Sequence, residues 1–451
     1  MKSFQLLSSS ILLVCTSCST FLEEKPDKKM VIPRTVADCD LLLNDYTTLN
    51  MGYPALGEWG ADDYFLTQEN WESITNNDQR NTYIWADEPY TDAVQWQRPY
   101  KAVFLSNQIL ETLNALKDES DDPIYEKVSG GAHFYRAFAF HQLVEVYAPA
   151  YQGGKAVSAL GIPLRMNAGI DEILSRASLE DSYKQIIVDY KAAIHKLPVQ
   201  EPRRGRPSRA AAYAGLARVY LDMGLYQDAY AYSDSSLMLK ADLLDFNELS
   251  VLKELPIPRF NPEVLFPAVS AGAGPMGFYL ACVDSVLVGQ YQPEDMRKHL
   301  FFQANENADT TYSFRGNYDN SYSQLFVGLT TSETYLIKAE AAVRIGKVNE
   351  ALTALNALLK KRFKINSYID IKESNSEILL ELILLERRKE LLFRGRRWPD
   401  LKRLNLDARF QKTLSRRIDG KRYELAPNSL KYAFRLPEPV VSLGNMQQNF
   451  R

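Results

Sequence analysis

Cysteine and histidine are scarce in this chain, with four of each among 451 residues. Two of the four cysteines, Cys15 and Cys18, sit at the end of the N-terminal apolar run, and with only Cys39 and Cys282 beyond it a disulfide scaffold is excluded. The histidines, His133, His141, His195 and His299, form no HExxH pair, and neither GxSxG nor GxxxxGK[ST] occurs. The spacing signatures of zinc proteases, nucleophile-elbow hydrolases and phosphate-cradling loops are therefore missing. His133 and His141 lie on one predicted helix and read as packing residues, and no loop carries a calcium-binding pattern. Excess charge is missing too. The formal charge of −3 becomes −4 when Lys2 is removed, which leaves no field to draw nucleic acid. Arg203-Arg204-Gly205-Arg206 is a local basic cluster that reads as a solvated turn before a helix.

Long apolar runs are also lacking. The run from Phe4 to Ser17, preceded by Lys2, is too short for a permanent membrane span, and no later segment reaches the roughly 20 apolar residues one needs. The run ends at Cys15-Thr16-Ser17-Cys18, where small residues precede a cysteine. It resembles a bacterial lipoprotein signal of residues 1–17, with Cys18 acylated as the mature N-terminus. Three acyl chains there would exceed the two-signal requirement for stable anchoring, so no transmembrane helix is needed.

What is present is a repeated spacing. Ala217, Gly224, Ala229, Ser236 and Leu237 recur at the same offsets as Ala339, Gly346, Ala351, Leu358 and Leu359. Small residues where two helices approach, with a glycine at the turn, predict tetratricopeptide-like hairpins over Arg209–Leu239 and Ser332–Leu359. Apolar residues return at helical spacing over Ala93–Leu116, Val128–Tyr147, Leu179–Leu197 and Ser376–Leu404. The predicted fold is mostly α, a helical-repeat scaffold in which stacked hairpins bury one another's apolar faces. Two loop-rich insertions interrupt it, at about 50–90 and 240–323. The second carries Pro256, Pro258, Pro262, Pro267, Pro275 and Pro293 and cannot be continuous helix.

Several motifs, in order along the chain, resemble the SusD/RagB family of lipid-anchored partners of TonB-dependent transporters. They are Phe21 to Pro26 after the cysteine, the Trp96, Tyr100 and Asn107 pattern, Gly131 to Ala137, Leu143 to Tyr147 and Gly161 to Leu164. The C-terminal third adds Glu333 to Ala341, Glu386 to Leu401, Leu436-Pro437, Asn445 and Gln448 to Phe450. The resemblance implies one SusD-like domain over 18–451, facing outward from the outer membrane on a lipid anchor. It implies a SusC-like TonB-dependent transporter as partner, no cofactor and no catalysis. The implied cargo is a glycan, or a peptide as in the RagB branch, or none if the protein is a structural adaptor.

Charged residues in the strongest motif invite an active-site reading, yet Glu386 and Glu390 lie one helical turn apart with Arg387 between them. That pattern predicts a buried ionic clasp, with Trp398 filling the helix end. Glu58, Asp62 and Asp63 beside Trp59 and Tyr64 could serve a glycosidase, but carboxylates also hydrogen-bond sugar hydroxyls, and binding is the preferred reading.

A polysaccharide offers apolar sugar faces and hydroxyls, so its binder needs flat rings flanked by polar groups. In the first insertion these are Trp59, Asp62, Tyr64, Trp71, Asn76, Trp85 and Tyr90; in the second, Tyr279, Tyr291, Tyr312, Arg315, Tyr318 and Tyr322.

Overall fold

The computed structural model describes residues 33–169, 172–306 and 310–451. The expected signal, Cys18 and the acidic stretch after it lie outside the described residues. Ten helices carry the fold. They are α1 (Val36–Leu42), α2 (Val94–Ala115), α3 (Tyr125–Tyr147), α4 (Leu179–Lys196), α5 (Arg209–Asp222) and α6 (Tyr226–Leu239). After a long irregular stretch follow α7 (Thr331–Arg344), α8 (Val348–Leu359), α9 (Ser376–Glu390) and α10 (Arg397–Leu404).

Local chemistry explains the hairpins. Ser178, Ser208 and Thr330 cap α4, α5 and α7, each side chain accepting from a backbone N–H in the first turn. The α5–α6 and α7–α8 turns close on Gly224 (φ 73°) and Gly346 (φ 80°), left-handed positions that a side chain would strain. Packing then runs in sequence: α2 on α3, α3 on α4, α4 on α5, α5 on α6, and α6 on α7, which also holds α8 and α9. The long core includes Phe134, Phe138, Leu216 and Phe266, and a second cluster around Leu336, Leu355, Leu358 and Ile383 joins α7, α8 and α9. One buried ion pair crosses between hairpins. Arg218 of α5 donates through Nε and Nη2 to Glu333 of α7 at 2.9 and 2.5 Å.

The predicted helix over Ser376–Leu404 is two helices. Phe393 (φ 56°) and Gly395 (φ 73°) break it, which turns α10 back across the helix Leu56–Gly60. The first insertion is less irregular than predicted, since it holds short helices at Leu56–Gly60, Gln68–Ser73 and Asn77–Tyr83. In the second, the longest helix among the described residues is Met296–Phe301.

Short strands knit the insertions together. Met51–Tyr53 pairs in parallel with Val269–Ser270, and Tyr64–Phe65 pairs antiparallel with Cys282–Val283. Cys39 and Cys282 are both buried free thiols, and burial pushes the Cys39 thiol up to about 11. Among the described residues no helix is long and apolar enough to cross a membrane.

Candidate functional site

The strand pairings bring the two insertions onto one face of the helical frame. Asn70 Nδ2 adds a cross-link by donating to the Leu280 carbonyl at 2.8 Å. Trp71, next to Asn70, is half-buried, with the Arg80 guanidinium 5.5 Å from its ring centroid. Beside Leu280, Tyr279 is 84% exposed. Phe278 packs edge-on against Tyr279 at 5.0 Å and lies 4.3 Å from the half-buried Tyr322. Phe278, Tyr279 and Tyr322 thus form an accessible cluster of rings in the second insertion, and the half-buried Trp71 of the first adjoins the Asn70–Leu280 bond that ties the insertions together. Phe278 and Arg80 were not anticipated from sequence. Phe278 adjoins Tyr279 in the chain, which was a usable signal; Arg80 reaches Trp71 from a different short helix and left none.

Six of the predicted ligand rings are instead core. Trp59, Tyr64, Trp85, Tyr90, Tyr291 and Tyr318 are at most 6% exposed. Five of the six polar ends are engaged internally, while Trp59 Nε1 is buried without a partner among the described residues. The Tyr64 hydroxyl donates to the Trp59 carbonyl (2.7 Å), Trp85 Nε1 to the Gly60 carbonyl (2.9 Å) and Tyr291 to the Lys389 carbonyl (2.9 Å). Tyr318 donates to Glu263 Oε2 (2.8 Å), and Thr82 donates to the Tyr90 oxygen (3.2 Å). Trp59 packs so closely on Gly274 (φ 56°) that a Cβ there would lie 2.5 Å from its ring. The physical reason is size: large rings in a loop-rich region are the only groups able to fill the space that short strands and turns leave.

The polar nominees are likewise engaged. Arg315 donates to the carbonyls of His299, Val251 and Lys253 at 2.7, 3.0 and 3.1 Å. Asn76 is exposed and caps Asn77–Tyr83 by accepting from the Gln79 N–H. Asp62 receives Arg397 Nε and Lys412 Nζ, each at 2.6 Å. Burial opposes its ionised form, but Arg397, Arg388 and Lys412 overcome that and hold the carboxyl well below the usual range. A cleft of about 330 Å³ has Asp62, Tyr64 and Trp85 in its walls, but the Arg416 guanidinium lies 5.0 Å from both ring centroids and takes those faces.

Glu58 sits nearby with its carboxyl pushed up to about 8, first by burial and then by Asp63. One raised and one lowered carboxyl is the split that acid–base catalysis uses. Here, however, Glu58 is 2% exposed and accepts the Arg397 N–H at 3.0 Å, while Asp62 is held by cations. His141, Glu145 and Asp222 place ligand atoms within 4.8 Å of one another, which suits a metal by distance alone. Arg396 already supplies the positive charge, donating to Glu145 and to both Asp222 oxygens at 2.9 and 3.0 Å.

Another cleft, of about 470 Å³, lies beside α2, lined by Trp96, Tyr100, Phe104, Pro163, Ile173 and Met446. It is mainly apolar and contains none of the accessible nominated rings.

A family model described as starch-binding associating with outer membrane matches residues 20–221, and the SusD family model matches 303–437. The chain belongs to the SusD/RagB family. SusD-like protein P2 of Formosa agariphila is 25% identical, with 72% of this chain and 74% of that one covered. A SusD superfamily protein of Bacteroides thetaiotaomicron superposes with a TM-score of 0.73 at 22% identity, covering 92% of this chain and 100% of that chain. A putative sugar binding protein of Bacteroides vulgatus gives 0.75 at 22% identity, covering 93% and 99%.

In this SusD/RagB protein the motif residues brace the frame. Asn107 Oδ1 accepts Arg136 Nη1 (2.8 Å), and Arg136 Nε reaches Asp189 (2.8 Å), which His133 also contacts (2.7 Å). Glu386 accepts Arg297 (2.6 Å), Glu390 accepts Arg362 Nε (2.9 Å) and Asp400 accepts Arg387 (2.8 Å). The charged run in α9 and α10 is therefore a clasp between the last helices and the second insertion.

Proposed function

We propose that the protein is a cell-surface lipoprotein that captures oligo- or polysaccharide on the Trp71, Phe278, Tyr279 and Tyr322 patch. It then delivers the glycan to a SusC-like TonB-dependent transporter of the outer membrane. The carrying observation is that accessible rings flank the Asn70–Leu280 hydrogen bond, which joins the two insertions across 210 positions of sequence. Rings with accessible faces stack on apolar sugar faces while neighbouring carbonyls and amides meet hydroxyls. The family model's description as starch-binding and outer-membrane-associated, and the sugar-binding name of a structural neighbour, agree with this reading.

Residues 1–17 act as the signal and Cys18 as the lipidation site, leaving 18–451 as one SusD-like domain with no chemistry of its own. Calorimetry against polysaccharide and peptide panels tests the cargo. Saturable glycan binding that a Trp71→Ala/Tyr279→Ala double variant weakens tenfold or more, about 1.4 kcal/mol, supports the proposal. Binding of peptides alone overturns it in favour of RagB-like capture, and binding of neither leaves a structural adaptor. Co-purification of the transporter with the intact lipoprotein tests the partner.

A further inference from the structure

The cluster Arg203-Arg204-Gly205-Arg206, read from sequence as a plain solvated turn, forms one wall of a polar cleft of about 430 Å³. The opposite wall is Lys240 and Asp242 with the segment Phe260 to Pro267. Its charges do not cancel. Arg203 and Arg206 share a single carboxylate, Asp40, at 2.7 and 2.5 Å. Glu201 is already taken by Lys127 at 2.7 Å, outside the cleft. Among the described residues Arg204 and Lys240 make no ion pair, and Asp242 is the one lining acid without a cationic partner. Ser208, the cap of α5, also lines the cleft, so the positive end of a 14-residue helix adds to the same field.

The aromatic floor is held in an unusual way. Phe260 sits at φ 54°, in the left-handed region that bulky side chains avoid, and the Arg204 and Arg259 guanidinium groups lie 5.8 and 4.8 Å from its ring centroid. A guanidinium over an aromatic face is held there by the ring's quadrupole. Arg259 is in turn fixed by Asp319 at 2.9 Å and by the Tyr46 oxygen at 2.9 Å, whereas Arg204, like Lys240, has no anionic partner among the described residues.

This cleft is joined to the ring patch by one short stretch of chain. The Tyr322 hydroxyl donates to the Glu254 carbonyl at 3.3 Å, and Asn320 Nδ2 donates to the Leu255 and Ile257 carbonyls at 3.0 and 2.8 Å. From Glu254 to Phe260 the chain spans at most about 20 Å, which bounds the separation of the two sites at these residues to a length that one oligosaccharide reaches.

Resting on the glycan reading above, we propose that the cargo is an anionic polysaccharide, whose backbone stacks on the ring patch while its carboxylate or sulfate groups enter the Arg204–Lys240 cleft. Full-length protein and an Arg204→Glu/Lys240→Glu variant are titrated with polygalacturonate, a sulfated glycosaminoglycan, neutral pullulan and phosphatidylglycerol vesicles. Thermal melts confirm that the variant is folded. At low ionic strength the acidic polymers bind the parent about tenfold or more tightly than pullulan. The preference shrinks with added salt and disappears in the charge-reversed variant. If acidic and neutral polymers bind alike, or the preference survives charge reversal, this inference is overturned while glycan capture stands. If vesicles bind and acidic polymers do not, the cleft belongs to the membrane surface. If no polymer of either kind binds, the glycan reading itself fails, and this inference with it.

Discussion

Arg397 Nε donates to Asp62 Oδ1 at 2.6 Å, closing a contact between residues 335 positions apart. A second bond, Arg397 Nη2 to Asp62 Oδ2 at 3.0 Å, makes the pair bidentate and fastens the first insertion to the start of α10. Asp62 is thus a structural anion. Asp62→Ala leaves Arg397 buried without its main partner and is expected to cost about 3–5 kcal/mol in urea unfolding. Glycan affinity of the folded fraction, measured by calorimetry, should equal that of the parent; a selective loss of affinity without loss of stability would return Asp62 to the binding site.

Trp398 is 1% exposed, stacks on Phe434 at 4.9 Å and donates from Nε1 to the Tyr432 carbonyl at 3.1 Å. Trp398→Ala removes the largest side chain at the junction of α10 and the C-terminal segment. A loss of about 3–5 kcal/mol follows from the cavity. Denaturant midpoints check this, with no separate loss of ligand binding at temperatures where the variant is folded.

Burial raises the Glu58 carboxyl from an ordinary value of 4.5 to about 8. The folded chain therefore holds a proton that the unfolded chain releases between those two values. Stability contributed at this site falls as pH rises through the window, because the native state binds the extra proton. Glu58→Gln keeps the acceptor for the Arg397 N–H and removes the titration. Relative to the parent, the variant should gain about 2–4 kcal/mol on going from pH 5 to pH 8. Unfolding curves at the two pH values give the answer, and an equal difference at both would show that Glu58 is ionised when buried.

The His141, Glu145 and Asp222 trio should take no metal while Arg396 is present, since the guanidinium occupies its acceptors. EDTA is expected to leave the melting temperature unchanged. Arg396→Ala should cost about 3–5 kcal/mol by stranding two buried carboxylates. Added zinc should then stabilise the variant and not the parent; zinc stabilisation of the parent would show that the trio binds metal in spite of Arg396.

The frame was largely legible in the sequence. Ala217, Gly224 and Ala229, and their counterparts Ala339, Gly346 and Ala351, mark the two hairpins because small residues and turn glycines answer to local backbone geometry. The break at Phe393 and Gly395 was missed, since helical periodicity continues through it. Past the break, Arg396 turns inward to Asp222 and Glu145, contacts across more than 170 positions that periodicity does not reveal. The ring patch was half legible. Trp71, Tyr279 and Tyr322 were nominated and are accessible, whereas Trp59, Tyr64, Trp85, Tyr90, Tyr291 and Tyr318 were nominated on the same grounds and are buried.

By itself, then, the order of residues determined the helical frame, the family and the ionic character of α9 and α10, because each depends on spacing within a helix or turn. Which ring faces water, which carboxylate meets an arginine and which cation is left without a partner were decided only when segments hundreds of residues apart came together. An aromatic side chain is equally suited to a core or to a sugar, and only the atoms packed against it in the folded chain separate the two.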